Sequence, residues 1–126
     1  MLCAAGPHPI PVSTAVRAGD LRLLLALAVG RGTLARLRAD PRAAFCLLGE
    51  AVAFTAHGMA SVARERLTAA PGVAAVELSV ERIQDHLADG RTEMLDGARW
   101  RWLDERAAEA ETRILAELEE LGRRGT

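Results

Sequence analysis

The feature that most restricts this chain is the run Leu21 to Val29, which is apolar except for Arg22 and stops at Gly30. A membrane-spanning helix needs roughly 20 such residues, so the run is about half the required length and reads as a buried strand. Directly after it comes Gly30-Arg31-Gly32-Thr33-Leu34-Ala35-Arg36-Leu37-Arg38-Ala39-Asp40-Pro41, a short helical stretch with glycines and an arginine at its mouth. Asp40 precedes a proline and is pushed out of helical geometry, which ends the helix there. A second strand-like run, Arg42 to Leu48, follows.

Strand signals continue on both sides of this unit. Upstream, Pro9 to Val16 alternates weakly, and its prolines confine its start to a sheet edge or an irregular entry. Ala18-Gly19-Asp20 supplies hairpin chemistry between that segment and the apolar run. Downstream, Gly49-Glu50 turns the chain into Ala51 to Val62, with Val52, Phe54, Ala56 and Gly58 on one face. A glycine inside a strand weakens it, so Gly58 marks a barrel corner or the close approach of another group. After a short polar connection closed by Pro71-Gly72, Val76, Leu78 and Val80 alternate with Glu77, Ser79 and Glu81, while Val73 falls out of phase. Asp89-Gly90 marks a turn, and Thr92 to Trp102 reads as a last strand broken at Asp96-Gly97.

From Leu103 the period changes to that of a helix, with Leu103, Ala107, Ala110, Ile114, Leu118 and Leu121 at spacings of three and four and Gly122 as the stop. The expected fold is mainly β with helices, a six-stranded antiparallel barrel whose closure protects its edges, plus a long C-terminal helix. One domain spans residues 1–126, with the barrel over 1–102 and the helix over 103–122. The apolar stripe of that helix must be buried, against the barrel or against a second subunit.

Charge narrows the partners. Sixteen basic residues, all arginine, face 17 acidic ones for a net charge of −1, a field that favours neither nucleic acid nor an anionic membrane. Cys3 and Cys46 stand far apart without Cys-x-x-Cys spacing, and His8, His57 and His86 are scattered, so no metal site and no disulfide framework is indicated. Met1 to Gly6 carries no basic leader and no apolar stretch of signal length, which points to the cytoplasm. The serines lack the context of a nucleophile elbow, and no residue stands out as a catalytic acid or base.

The best candidate anion site is the mouth of the short helix. Thr33 can cap it by offering its hydroxyl oxygen to a free amide, and Gly30 and Gly32 let backbone approach a ligand closely. Arg36 then falls at the third helical position, where a cation opposes the helix dipole by roughly 0.3–1 kcal/mol unless an anion lies between them. A bound phosphate reverses that penalty. Spacing alone leaves open that Arg36 points to water or pairs with Asp40.

The succession Pro11-Val12-Ser13, hairpin, Gly30 to Leu37, Asp40-Pro41-Arg42-Ala43-Ala44 and Gly58-Met59-Ala60-Ser61-Val62 resembles the pyridoxamine 5′-phosphate oxidase-like split-barrel family over roughly positions 2–83. That resemblance implies a homodimeric six-stranded split β-barrel that binds FMN, or in some members a deazaflavin or haem, in clefts between subunits. Carried onto this chain, it puts Arg31, Thr33 and Arg36 on the cofactor phosphate beside the Gly32 backbone. Val12, Ser13 and Ala28 would line the ring system, and Trp100 or Trp102 would cover the cofactor from the partner subunit. The implied activity is that of a flavin-dependent oxidoreductase, with a non-catalytic cofactor-binding or dimeric interaction protein as the alternative. The family's usual lysine in the phosphate helix is absent, and so is its leading helix.

Overall fold

The computed structural model describes residues 1–124, so the last two positions of the expected domain lie outside it. One antiparallel sheet holds seven strands: β1 (Leu2–Ala4), β2 (His8–Ile10), β3 (Ala15–Arg17), β4 (Arg22–Ala28), β5 (Arg42–Gly49), β6 (Val52–Arg64) and β7 (Val73–Asp85). Their spatial order is β2-β1-β5-β6-β7-β4-β3, with helices α1 (Gly32–Ala39) and α2 (Glu105–Arg124) added to it. Three strands separate β1 from β4, yet Leu2 of β1 shares a core cluster with Leu25 and Leu27 of β4. Such contact requires the sheet to curl, and the result is a half-barrel whose edges are β2 and β3.

The strand count departs from the expected six in three places. Pro9 to Val16, expected as one strand, is split into β2 and β3 at opposite edges of the sheet, with Pro11 to Thr14 outside any strand between them. Leu2–Ala4 forms a strand too short to show any period in sequence, although Leu2 and Ala4 are buried. Thr92 to Trp102 forms none. Instead the Met94 carbonyl accepts the Ala51 amide at 2.9 Å, and a Cβ on Gly97 would collide with the Leu48 carbonyl, so this segment lies against the β5–β6 turn as an irregular strap. Its Arg-Trp alternation imitates a strand with one buried face, but Trp100, Trp102 and their arginine neighbours are all exposed.

β4 reads as a continuous apolar run because both its faces are covered. Leu25 and Leu27 point into the half-barrel with Val76, Leu78 and Val80 of β7, and Leu34 and Leu37 of α1 close that core. Leu24, with Ala26 beside it, points outward to a second cluster with Ala18, Leu67, Ala75 and Leu118. Val73, out of phase in sequence, belongs to this outer cluster. Gly58 lies at a β-bulge: a Cβ there would strike the Ser79 carbonyl and stand 3.1 Å from the Val80 Cα, so only glycine lets β6 and β7 pair.

Helix α2 covers the outer cluster with Ile114, Leu118 and Leu121, so its stripe is buried within its own chain. The helix starts at Glu105, not Leu103, because the Asp104 carboxylate accepts the Arg106 amide at 3.0 Å as a cap. Leu103 is left 92% exposed. At the other end the helix runs past residue 122. Gly122 is used for close packing, its would-be Cβ standing 3.0 Å from the Ala18 Cβ, and not as a stop. Glu117, 9% exposed, adds a polar anchor by accepting the Thr68 and Ala69 amides at 2.9 and 2.8 Å and Arg64 Nη1 at 2.8 Å. Burial works against its charge, but the Ala69 and Thr68 amides and then Arg64 outweigh it and hold the carboxyl below its ordinary pKa.

Candidate functional site

The expected site residues divide by where α1 begins. The Arg31 amide closes a turn onto the Ala28 carbonyl at 3.3 Å, and the helix starts at Gly32 with Arg31 in the capping position. No side chain caps it. Thr33 therefore does not cap the helix: it is 1% exposed, and its hydroxyl is hydrogen-bonded to His8 Nε2 of β2 at 3.3 Å. The buried hydroxyl needs a partner, and β2 brings one within reach.

The early start also moves Arg36. In an eight-residue helix it falls in the last turn, where the dipole favours a cation, so the expected clash with the N-terminal dipole does not arise. Its guanidinium lies beside Gly6 in the β1–β2 turn, 3.3 Å from where a glycine Cβ would stand. It does not pair with Asp40. That carboxylate grips Arg42, with bonds of 3.0 Å to Nε and 2.5 Å to Nη2. The Arg42 side chain, then its amide, lowers the Asp40 pKa to about 2.

Five of the expected residues flank the pairing of β3 with β4: Val12 and Ser13 precede β3, and Ala28, Arg31 and Gly32 end β4 and open α1. The Thr14 carbonyl accepts the Ala26 amide at 3.1 Å and Ala15 pairs with Leu25, which puts Ser13 just beyond the β3–β4 pairing. Arg31 and Gly32 follow from Ala28 in the next turn. Val12 packs half-buried against the main core, while Ser13, Ala28, Arg31 and Gly32 are exposed. Neither Arg31 nor Arg36 forms an ion pair among the described residues. The start of α1 thus offers a free guanidinium and the unpaired amides of a first helical turn, a donor set suited to a small anion.

A relay of contacts within the one chain, which sequence spacing does not reveal, links Trp100 to Ser13, whereas the resemblance implied a tryptophan from the partner subunit. Ser13 Oγ lies 3.3 Å from Thr14 Oγ1, which donates to Glu111 Oε1 of α2 at 2.8 Å. Trp102 Nε1 donates to the other Glu111 oxygen, and the Trp100 ring meets Trp102 edge to face with centroids 5.3 Å apart.

Two further clefts open elsewhere on the sheet. An apolar one of about 320 Å³ lies between Val52, Phe54, Ile83 and Leu87, and a groove of about 590 Å³ is walled by Cys3, Arg42, His57 and Arg82. His57 is engaged with Gln84 at 3.3 Å and His86 with Thr55 at 2.7 Å. Both cysteines are free and half-buried. Among the described residues no three metal-ligand side chains gather, and no helix is long and apolar enough to cross a membrane. No protein-family model matches this chain, and no curated protein is significantly similar to it.

Proposed function

We propose that this chain is an FMN-binding, oxidoreductase-like protein of the pyridoxamine 5′-phosphate oxidase-like type, acting as a homodimer in the cytoplasm. The observation that carries the reading is Arg31, exposed and without an ion pair, at the start of α1 in the turn that follows Ala28. The FMN phosphate fits that donor set: Arg31 and the first-turn amides of α1 bind it, and Val12, Ser13 and Ala28 border the ring. Thr33 does not join them because its hydroxyl is committed to His8. Bound FMN supplies the hydride or electron transfer, and the chain's part is to hold, orient and shield it. Dimerisation is supported by the inner face of β5, β6 and β7, where Leu47 and Ile83 continue the core row outward and stay 40% and 55% exposed.

Calorimetric titration of FMN into the wild type, Arg31→Ala and Arg36→Ala tests this. Saturable binding is expected, weakened about tenfold or more in Arg31→Ala, a loss of about 1.4 kcal/mol, and less in Arg36→Ala. Absence of saturable binding at high micromolar FMN refutes the assignment. A second reading, a cofactor-binding protein without catalysis, is favoured by the inward turn of Thr33 and the last-turn place of Arg36, which leave a single cation at the helix start. Turnover of reduced nicotinamide in the presence of FMN separates the two, since a non-catalytic binder takes up the flavin without consuming the nicotinamide.

A further inference from the structure

We infer that Glu111 is a positioning residue that latches the segment 98–103 across the start of β3, so that the Trp100–Trp102 pair forms an aromatic wall for a planar ligand beside Ser13. The wall part rests on the flavin reading of that corner; the latch does not. Three observations carry it. First, apolar burial does not hold this segment, because Trp100, Trp102 and Leu103 are 56%, 41% and 92% exposed. Second, among the described residues the bond from Trp102 Nε1 to Glu111 is the hydrogen bond that ties positions 98–103 to the rest of the fold. Third, both Glu111 oxygens are used, one by the tryptophan and one by Thr14, which is 5% exposed and adjoins Ser13.

The base of the latch is rigid. Glu111 stands on α2, which Ile114, Leu118 and Leu121 fix to the outer cluster and Glu117 clamps to the Thr68–Ala69 backbone. A carboxylate held on a fixed helix orients the indole N–H, and Trp102 in turn sets the edge-to-face angle of Trp100 at 89°. Two neighbouring indoles left this open to water present unused π surface. A flat, electron-poor ring system stacked on Trp100 would cover that surface. Preorganisation by Glu111 spares such a ligand the cost of ordering the segment.

The chain has two tryptophans and no tyrosine, so its fluorescence reports this pair alone. Emission, acrylamide quenching and FMN titration are compared for the wild type, Glu111→Leu, Glu111→Gln and Thr14→Val, with far-UV circular dichroism checking the fold. Glutamine keeps an acceptor for the indole and a donor for the hydroxyl, so Glu111→Gln should match the wild type. Glu111→Leu should shift emission to longer wavelength, increase quenching and weaken FMN binding about tenfold. Thr14→Val, which keeps the side-chain volume, should fall between them. Unchanged emission and quenching in both Glu111→Leu and Thr14→Val overturn the latch, whatever FMN does. Changed emission with no FMN binding to the wild type overturns the flavin wall and leaves the latch standing.

Discussion

Replacing Glu117 with alanine tests how α2 is fastened to the half-barrel. The substitution strips the acceptor from two backbone amides, Thr68 and Ala69, and the partner from Arg64. Each amide bonded to a charged acceptor is worth about 1.5–3 kcal/mol, with the lower figure fitting here because the connection lies near the surface. Arg64 remains 33% exposed, so loss of the ion pair itself adds less than about 1 kcal/mol. The expected loss is about 3–4 kcal/mol, or a melting temperature lower by about 10–15 °C for a chain of this size. Glu117→Gln, which keeps one acceptor, should lose about half as much. Urea unfolding followed by circular dichroism gives both values, and a Glu117→Ala variant within about 0.5 kcal/mol of wild type, the scatter of neutral surface changes, would refute the clamp.

The same carboxylate makes the difference pH-dependent. Its folded pKa lies below its unfolded value, so the unfolded chain binds the proton more readily. The advantage of the wild type over Glu117→Gln is therefore full above the ordinary glutamate pKa of about 4.3. It declines as pH falls from there through the lowered folded value. Equal differences at neutral pH and below pH 3, about one unit under that ordinary value, would show that the charge contributes nothing.

Other expectations follow from single contacts. Gly58→Ala must push β6 away from the Ser79 carbonyl and should cost upwards of about 2 kcal/mol by urea unfolding; a neutral result would mean the bulge is not as close as described. Asp40 should titrate near pH 2 by carboxyl NMR and return toward about 3.9 in Arg42→Ala; a value that does not move removes Arg42 as its partner. Leu118→Ala opens a cavity under α2 and should cost about 2–5 kcal/mol in thermal unfolding, whereas a small change would mean the outer cluster collapses to fill it.

Much of the sheet was legible because its periodicity is long. β5, β6 and β7 run 8 to 13 residues with one face inward, and their turns carry glycine or proline. What failed were features decided by partners distant in sequence. Thr33 has the chemistry of a cap, but His8, 25 positions earlier, takes its hydroxyl inward. The strap around Trp100 and Trp102 has the period of a strand and no neighbouring strand to pair with. Glu111 looks like one acidic residue of a solvated helix face until Thr14, 97 positions away, and Trp102 are seen to share it. The exposed place of Arg31 and Gly32 at the start of α1 follows from the short connection that leaves β4.

The flavin assignment is tested most directly by determining the structure of the protein with FMN added. The phosphate is expected within hydrogen-bond reach of the Arg31 guanidinium and the Gly32 amide, with the ring bordered by Ser13 and Trp100. An FMN lodged in the groove by Arg42 and His57, or a corner at Arg31 that stays empty at saturating FMN, contradicts it.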